Sequence, residues 1–363
     1  MNYFKIAITG GPCAGKSETI KSVSEYISKN YNVNLIIIPE TATELINSGI
    51  TPLLFKDIKD FQRVVLTSQL SKEENAIYTI GCIGEDKPTI MLCDRGILDN
   101  KAYFDKQSDF DFLLYQTSYS EIEFLDSYDL VIDLISTSNS SFGEYDLISN
   151  KARHEEAEEA KKLDNRTSTA WVGHSNLFLV DCCKTLEEKE DKVIKIIDNF
   201  INKRLEKEIY SFEIDRDLSD LSIYDDDNSK KIIIDEILLK PFQCKDFNHI
   251  ISSRTYKGKT TYSFRLEQEE DNVKKIIYDK KISSGTFLKL KDSYYKEQLP
   301  RKILTSFIYE KQLFNICNSD GKLKLETITK EIEKLPENIS LKVGKKQKRL
   351  KKSSLNNKSM LVY

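Results

Sequence analysis

Near the start of the chain, the residues Gly10-Gly11-Pro12-Cys13-Ala14-Gly15-Lys16-Ser17 have types and spacing suited to phosphate chemistry. The pattern is G-x-x-x-x-G-K-S, a P-loop. Glycines let the backbone curl so that its N–H groups face a phosphate chain. A helix starting after Gly15 adds partial positive charge. Lys16 can then reach the β and γ phosphates, and Ser17 can ligate Mg2+. Cys13 reads as a small residue that fits the loop, not as a nucleophile. The pattern implies a nucleoside triphosphate, GTP or ATP, as ligand and Mg2+ as cofactor.

A second set, Asp94-Arg95-Gly96-x-x-Asp99, follows the apolar run Thr89–Cys93. Ligands of open α/β sheets collect beyond the carboxyl ends of strands. Asp94 is thus placed to hold Mg2+ and Arg95 to contact a phosphate or an acceptor, with a surface salt bridge as the alternative. Glu40 follows the strand-like run ending Ile38-Pro39. It can accept a hydrogen bond from a substrate hydroxyl, serve the metal, or simply favour a helix start. The charge-dense stretch Lys151–Thr169 carries Arg153, Lys161, Lys162 and Arg166. It reads either as a lid whose arginines meet the phosphates or as a solvated helix. His154, His174 and His249 form no metal set, and Trp171 with His174 braces the lid base.

These residues need a scaffold. Strands are expected at Phe4–Thr9, Val33–Pro39, Thr89–Cys93, Leu130–Ile135 and Leu177–Val180, with helices at Lys16–Asn30 and about 58–83. This alternation predicts a parallel sheet covered by helices, the P-loop NTPase α/β class. Leu186–Tyr210 reads as a helix closing a nucleotide-binding domain over residues 1–212. An acidic linker is expected over 213–230, containing Tyr224-Asp225-Asp226-Asp227-Asn228. Over 231–340 the runs Lys231–Lys240, Thr260–Leu266, Lys275–Lys280, Ile303–Tyr309, Leu313–Ile316 and Leu323–Thr327 predict an antiparallel sheet or barrel. A basic tail occupies 341–363, with seven cations within Lys342–Lys352. It reads as a solvated tail or as a segment drawn to anionic lipid or RNA.

Composition sets limits. The chain has 363 residues and a net charge of -3, which argues against a whole-chain nucleic-acid binder. It contains no apolar run long enough for a membrane span, and its start leaves no room for a leader. Seven scattered cysteines point to a reducing, cytoplasmic compartment.

Several separated motifs occur in one order: Ile8–Ser17, Ile38-Pro39-Glu40-Thr41-Ala42, Cys93-Asp94-Arg95-Gly96, Lys162-Leu163-Asp164, Ala170-Trp171-Val172-Gly173-His174 and Val180-Asp181. In these the chain resembles the TRPL translocation defect protein family. The resemblance implies a ribosylnicotinamide-kinase-like P-loop domain that binds and hydrolyses GTP. It implies a C-terminal domain like the CYTH or triphosphate-tunnel barrel that binds phosphoinositide head groups, and a role in membrane-protein trafficking, peripheral to membranes. Lys240, Arg254 and Arg265 are the candidate lipid or anion ligands, and Glu326 matches a late acid. Ile234-Asp235-Glu236-Ile237-Leu238-Leu239-Lys240 lacks the alternating acids of a metal-dependent tunnel, so the barrel reads as a binding module or as a structural element. The preference for GTP rests on the resemblance, because Asn202-Lys203-Arg204-Leu205 is no guanine motif. Two other readings stay open: a nucleoside-like small-molecule kinase, with Glu40 or Asp94 as base and Arg95 orienting the acceptor, and a nucleotide-binding scaffold without turnover.

Overall fold

Short apolar runs build the first sheet of this computed structural model. The structure describes residues 3–84, 87–136, 157–181, 183, 185–202, 206–215, 219–224, 226, 228–242, 246–270, 273–327, 335–341 and 358–362. Contacts divide the chain into two units, Met1–Lys195 and Ile196–Tyr363.

In the first unit, β1 (Tyr3–Thr9), β2 (Asn34–Ile38), β3 (Thr89–Asp94), β4 (Leu130–Leu134) and β5 (Leu177–Val180) form a sheet of order β2-β3-β1-β4-β5. All its pairings are parallel. Ile6, Ala7, Ile8, Ile90–Cys93 and Leu130–Ile132 are buried, as expected where helices cover both faces. Those helices are α1 (Lys16–Asn30), α2 (Thr41–Asn47), α3 (Ile58–Cys82), α4 (Gln107–Thr117), α5 (Glu121–Leu125), α6 (Ala157–Ala170) and α7 (Leu186–Ile201). α1 buries Ile20, Val23 and Ile27 on one stripe at helical spacing. Asp57 caps α3 by accepting the Lys59 N–H, and Ser120 with Glu123 forms a capping box on α5. The five expected strands and the helices at α1 and α3 form within a few residues of their expected limits.

Two buried strands carry charge. Lys5 of β1 forms an ion pair with Glu73 of α3, lies 3.9 Å from the centroid of the Tyr128 ring and bonds Ser127. Asp133 of β4 is fully buried. A charge in such a strand requires partners or a shifted pKa.

In the second unit lie β6 (Glu206–Glu213), β7 (Lys230–Leu239), β8 (Asn248–Tyr256), β9 (Lys259–Glu270), β10 (Val273–Lys281), α8 (Ser284–Tyr294), β11 (Tyr295–Gln298), β12 (Lys302–Tyr309), β13 (Gln312–Ser319), β14 (Lys322–Thr327) and β15 (Lys358–Val362). Their sheet has the order β11-β7-β12-β13-β14-β6-β15-β10-β9-β8, and β8 pairs back to β7. All pairings are antiparallel except β10–β15. An antiparallel sheet was the expectation. One core gathers Phe212, Phe307, Phe314, Ile316 and Leu325, and another Ile237, Leu239, Ile251 and Phe287.

The expected helix Leu186–Tyr210 is corrected: α7 ends at Ile201, and Glu206–Glu213 is a strand. Tyr210 and Phe212 pair with Thr327 and Leu325 of β14, and Phe212 enters the core. That pairing outweighs the local helical composition. The strand β8 and the helix α8 were not anticipated. Within the acidic stretch, Ser222–Tyr224 forms a 3-10 turn whose Tyr224 stacks on Phe307 at 4.2 Å. Among the described residues no helix is long and apolar enough to cross a membrane. Arg153 and the cations of Lys342–Lys352 lie outside the described residues.

Candidate functional site

The loop Gly10–Gly15 connects the carboxyl end of β1 to α1. Cys13 takes a left-handed φ of 56° there. Lys16 is buried, and its ammonium donates to the carbonyls of Gly10 at 3.0 Å and Gly11 at 2.6 Å. Ser17 is exposed in the first turn of α1. Lys189 of α7 ties the far side of the loop, donating to Ala14 at 3.0 Å and to Ile135 at 2.8 Å.

Asp94 ends β3 in register with Ile8. Its Oδ1 is buried without a hydrogen-bond partner. Burial, then the nearby Glu40 charge, pushes its pKa up to about 6 against the pull of Lys16 and Arg95. Arg95 holds a left-handed φ of 70°. Its Nε donates to Glu40 Oε1 at 2.5 Å, its Nη1 donates to the Gly10 carbonyl at 3.0 Å, and Asp99 lies 3.7 Å away. Although burial opposes it, these acids hold the guanidinium charged. Glu40 sits at the start of α2, where its Oε2 accepts the Thr43 hydroxyl at 2.6 Å.

The strained Arg95 turn is fixed from all sides. Its N–H donates to Ile8 at 3.0 Å, and its carbonyl accepts from Gln69 Nε2 at 3.1 Å. Gln69 also donates to Glu73, which accepts the Tyr128 hydroxyl proton at 2.8 Å. Tyr128 in turn accepts the Ile97 N–H at 2.9 Å. The Ile97–Tyr103 3-10 helix places Asp99, whose oxygens accept Thr9 Oγ1 at 2.6 Å and Trp171 Nε1 at 2.5 Å. Non-glycine residues hold such a φ only where the surroundings over-determine it. Trp171 therefore braces the Arg95 turn through Asp99, and His174 backs it through the Tyr128 carbonyl at 2.9 Å.

Gly96 has no room for a side chain. A Cβ there would lie 2.3 Å from Trp171 Cζ2 and 2.6 Å from Cη2, both on a rigid buried ring. Gly96→Ala is expected to cost about 2–4 kcal/mol. Thermal denaturation should show a loss of roughly 5–10 °C for a unit of this size. An unchanged midpoint would mean that the ring yields.

The structure thus gathers the Gly10–Ser17 loop, Asp94, Arg95, Glu40 and Asp99 at the carboxyl ends of β1 to β3. Arg166 is placed differently: it pairs with exposed Asp105 at 2.9 Å and reaches the Ala102 carbonyl at 3.4 Å. In the second unit Lys240 is exposed at the end of β7, and Arg254 lies on β8 opposite Ile234. Arg265 of β9 donates to Glu236 at 2.7 Å and forms an ion pair with Glu267 at 2.6 Å, while Lys302 donates to Glu236 at 2.7 Å. Burial alone would raise the Glu236 pKa, but these two cations bring it down to about 2.

Three residues around the site escaped the sequence reading, Asp133, Gln69 and Glu73, while Asp164 entered it only within the motif Lys162-Leu163-Asp164 and without a role. Only Asp133 left a signal, as the one acid in the apolar run Leu130–Leu134.

A family model described as an AAA domain matches residues 5–189. No curated protein matches the chain. Among solved structures, the thymidylate kinase of Ehrlichia chaffeensis is 17% identical, with 54% of this chain and 100% of that chain covered and a TM-score of 0.37. A protein of Pyrococcus horikoshii OT3 is 16% identical, with 35% of this chain and 79% of that chain covered and a TM-score of 0.25.

Proposed function

Through residues 5–189 the chain belongs to the AAA domain family, and we propose that its first unit binds a nucleoside triphosphate with Mg2+ and hydrolyses it slowly, with GTP as the preferred nucleotide. The observation that carries this reading is the meeting of Lys16, Asp94, Arg95 and Glu40 around the Gly10–Ser17 loop. GTP preference is supported by the resemblance of the separated motifs to the TRPL translocation defect family.

The donors present fit Mg2+. Asp94 Oδ1 is a hard, buried oxygen without a partner, and Ser17 supplies a hydroxyl. Mg2+ is commonly held by one or two carboxylates plus substrate phosphates, keeping several waters. When bound, the ion would neutralise phosphate charge. Lys16 would leave the Gly10 and Gly11 carbonyls to meet the β and γ oxygens. Arg95 already touches the loop through Gly10, and a guanidinium there stabilises charge developing on the transferred group. Glu40, held 2.5 Å from Arg95, is placed to orient the attacking oxygen.

The Glu40–Arg95 pair also favours a second reading, in which the attacking oxygen belongs to a nucleoside-like acceptor. For the second unit we infer a CYTH-like module that binds phosphoinositide head groups through Lys240, Arg254 and Arg265, giving the protein a peripheral place at membranes in trafficking. Arg265 is shared with two carboxylates, so an anion would compete with Glu236 and Glu267 for it.

Calorimetric titration with non-hydrolysable GTP and ATP analogues in Mg2+, joined to a turnover assay with GTP and ATP themselves in the presence and absence of an added nucleoside, tests the nucleotide reading. Tighter GTP binding with phosphate release to water is the expected result. ATP preference with transfer to an added nucleoside would replace it with the kinase reading.

A further inference from the structure

We propose that Asp164 is a positioning residue that ties α6 to the phosphate loop, and that Asp133 behind it carries the proton that lets this tie form. The inference rests, for its nucleotide readout only, on the reading of the Gly10–Ser17 loop as a triphosphate site.

Asp164 is 1% exposed. Its Oδ1 accepts the Gly11 N–H at 2.9 Å, and its two oxygens accept the Ser136 N–H at 3.2 and 3.1 Å. Ser136 then donates its hydroxyl to the Pro12 carbonyl at 2.7 Å. One carboxylate on α6 therefore joins the first half of the loop to the chain leaving β4. The approach is close. A Cβ on Gly11 would lie 2.5 Å from Asp164 Oδ1 and 2.6 Å from its Cβ. The same helix leads into Trp171, whose indole N–H holds Asp99. One element thus fixes both the phosphate loop and the support of Arg95.

Asp133 is the second part of the device. It is fully buried, and neither of its oxygens has a well-formed hydrogen bond, the Ser168 hydroxyl being a donor that acts on it. The groups acting on it are Asp164 and the Ser168 hydroxyl from α6, Asp99 from the 3-10 helix and Lys16 from α1. Two buried carboxylates in one region do not both ionise readily. Asp164 receives the N–H donors and Asp133 does not, so the proton is assigned to Asp133. Burial, then the Asp164 charge, pushes Asp133 up to about 8 against the Ser168 hydroxyl and Lys16.

The sign of the pH dependence follows. Asp133 ionises in the unfolded chain near its ordinary value and in the folded chain only near 8. Stability therefore falls as pH rises through that interval. Above about 8 a second charge faces Asp164, and the tie to Gly11 should weaken. Nucleotide affinity should then drop with it.

The test compares the wild type, Asp133→Asn and Asp164→Asn as full chains between pH 6 and 9. Three quantities are read: the thermal midpoint, amide exchange at Gly11 and Ser136, and the affinity for a non-hydrolysable triphosphate analogue with Mg2+. The wild type is expected to lose affinity several-fold between pH 7 and 9 and to lose thermal stability over the same range. Asp133→Asn should flatten both profiles and melt higher than the wild type at pH 8.5. Asp164→Asn places an amide N–H2 against the Ser136 N–H. It should speed exchange at Gly11 and Ser136 at least tenfold and weaken nucleotide binding by about tenfold at pH 7. Parallel pH profiles in wild type and Asp133→Asn would overturn the proton-bearing role. Unchanged exchange and affinity in Asp164→Asn would overturn the tie. If the wild type binds no triphosphate, the functional reading fails, while the exchange and melting profiles still decide the tie.

Discussion

Lys16→Ala is expected to weaken binding of a triphosphate analogue by two orders of magnitude or more while leaving the fold intact. A lysine in this loop is a fixed cation for the β and γ oxygens, and in a partly desolvated site one such contact contributes several kcal/mol. Nothing else described in the loop replaces it. Arg95 is shared with Glu40 and Gly10, and the Lys189 ammonium donates to Ala14 and Ile135. Lys16 donates to two loop carbonyls and lies near the buried acids Asp94, Asp99 and Asp133, which already stand above their ordinary pKa and take up protons when the cation is removed. Calorimetric titration gives the affinity, and the thermal midpoint checks the fold. Retained affinity would show that the phosphates bind elsewhere.

Asp94→Asn should have the second-largest effect, and a different one. Nucleotide binding should lose its enhancement by Mg2+, and turnover should fall by roughly 10²–10³, the range seen when one preorganised electrostatic contact is removed. The fold should become more stable, not less. Asp94 Oδ1 is buried without a donor, and its pKa is pushed up to about 6. A carboxyl raised above its ordinary value loses stability as pH rises from about 4 to 6, and that loss persists at neutral pH. The neutral asparagine removes it. Melting curves at pH 7, with and without Mg2+, and phosphate release measure the two halves of the prediction. An unaltered Mg2+ dependence would exclude Asp94 as a ligand.

Much of the first unit could be read from the chain because its signals are local. Gly10–Ser17 is a contiguous motif, and the strand-loop-helix around it lies within residues 3–30. The apolar runs of β3, β4 and β5 are strands because a parallel sheet is buried on both faces, which needs no alternation. The placement of Asp94, Arg95 and Glu40 followed from a rule about strand ends, and it needed no knowledge of their partners. In the second unit the strand-like runs Leu313–Ile316 and Leu323–Thr327 lie on either side of the turn residues Ser319-Asp320-Gly321-Lys322, so that hairpin too was legible.

Other features depended on residues far apart in the chain. Glu206–Glu213 has the composition of a helix, but Phe212 finds Leu325 across the sheet and becomes strand. Arg166 had the charge of a phosphate ligand, yet Asp105 takes it. Asp164 stood within the motif Lys162-Leu163-Asp164 on a stretch that also read as a solvated helix, and only the fold shows that it bonds Gly11 across 153 residues.

The sequence alone determined that this chain has a phosphate loop on a parallel sheet, because those features are written in neighbouring residues and short periods. Only the tertiary structure decided which carboxylates meet the loop, which one is left without a donor and which arginine reaches Gly10. A buried charge takes its pKa and its role from whatever the fold packs beside it, and no spacing along the chain encodes that.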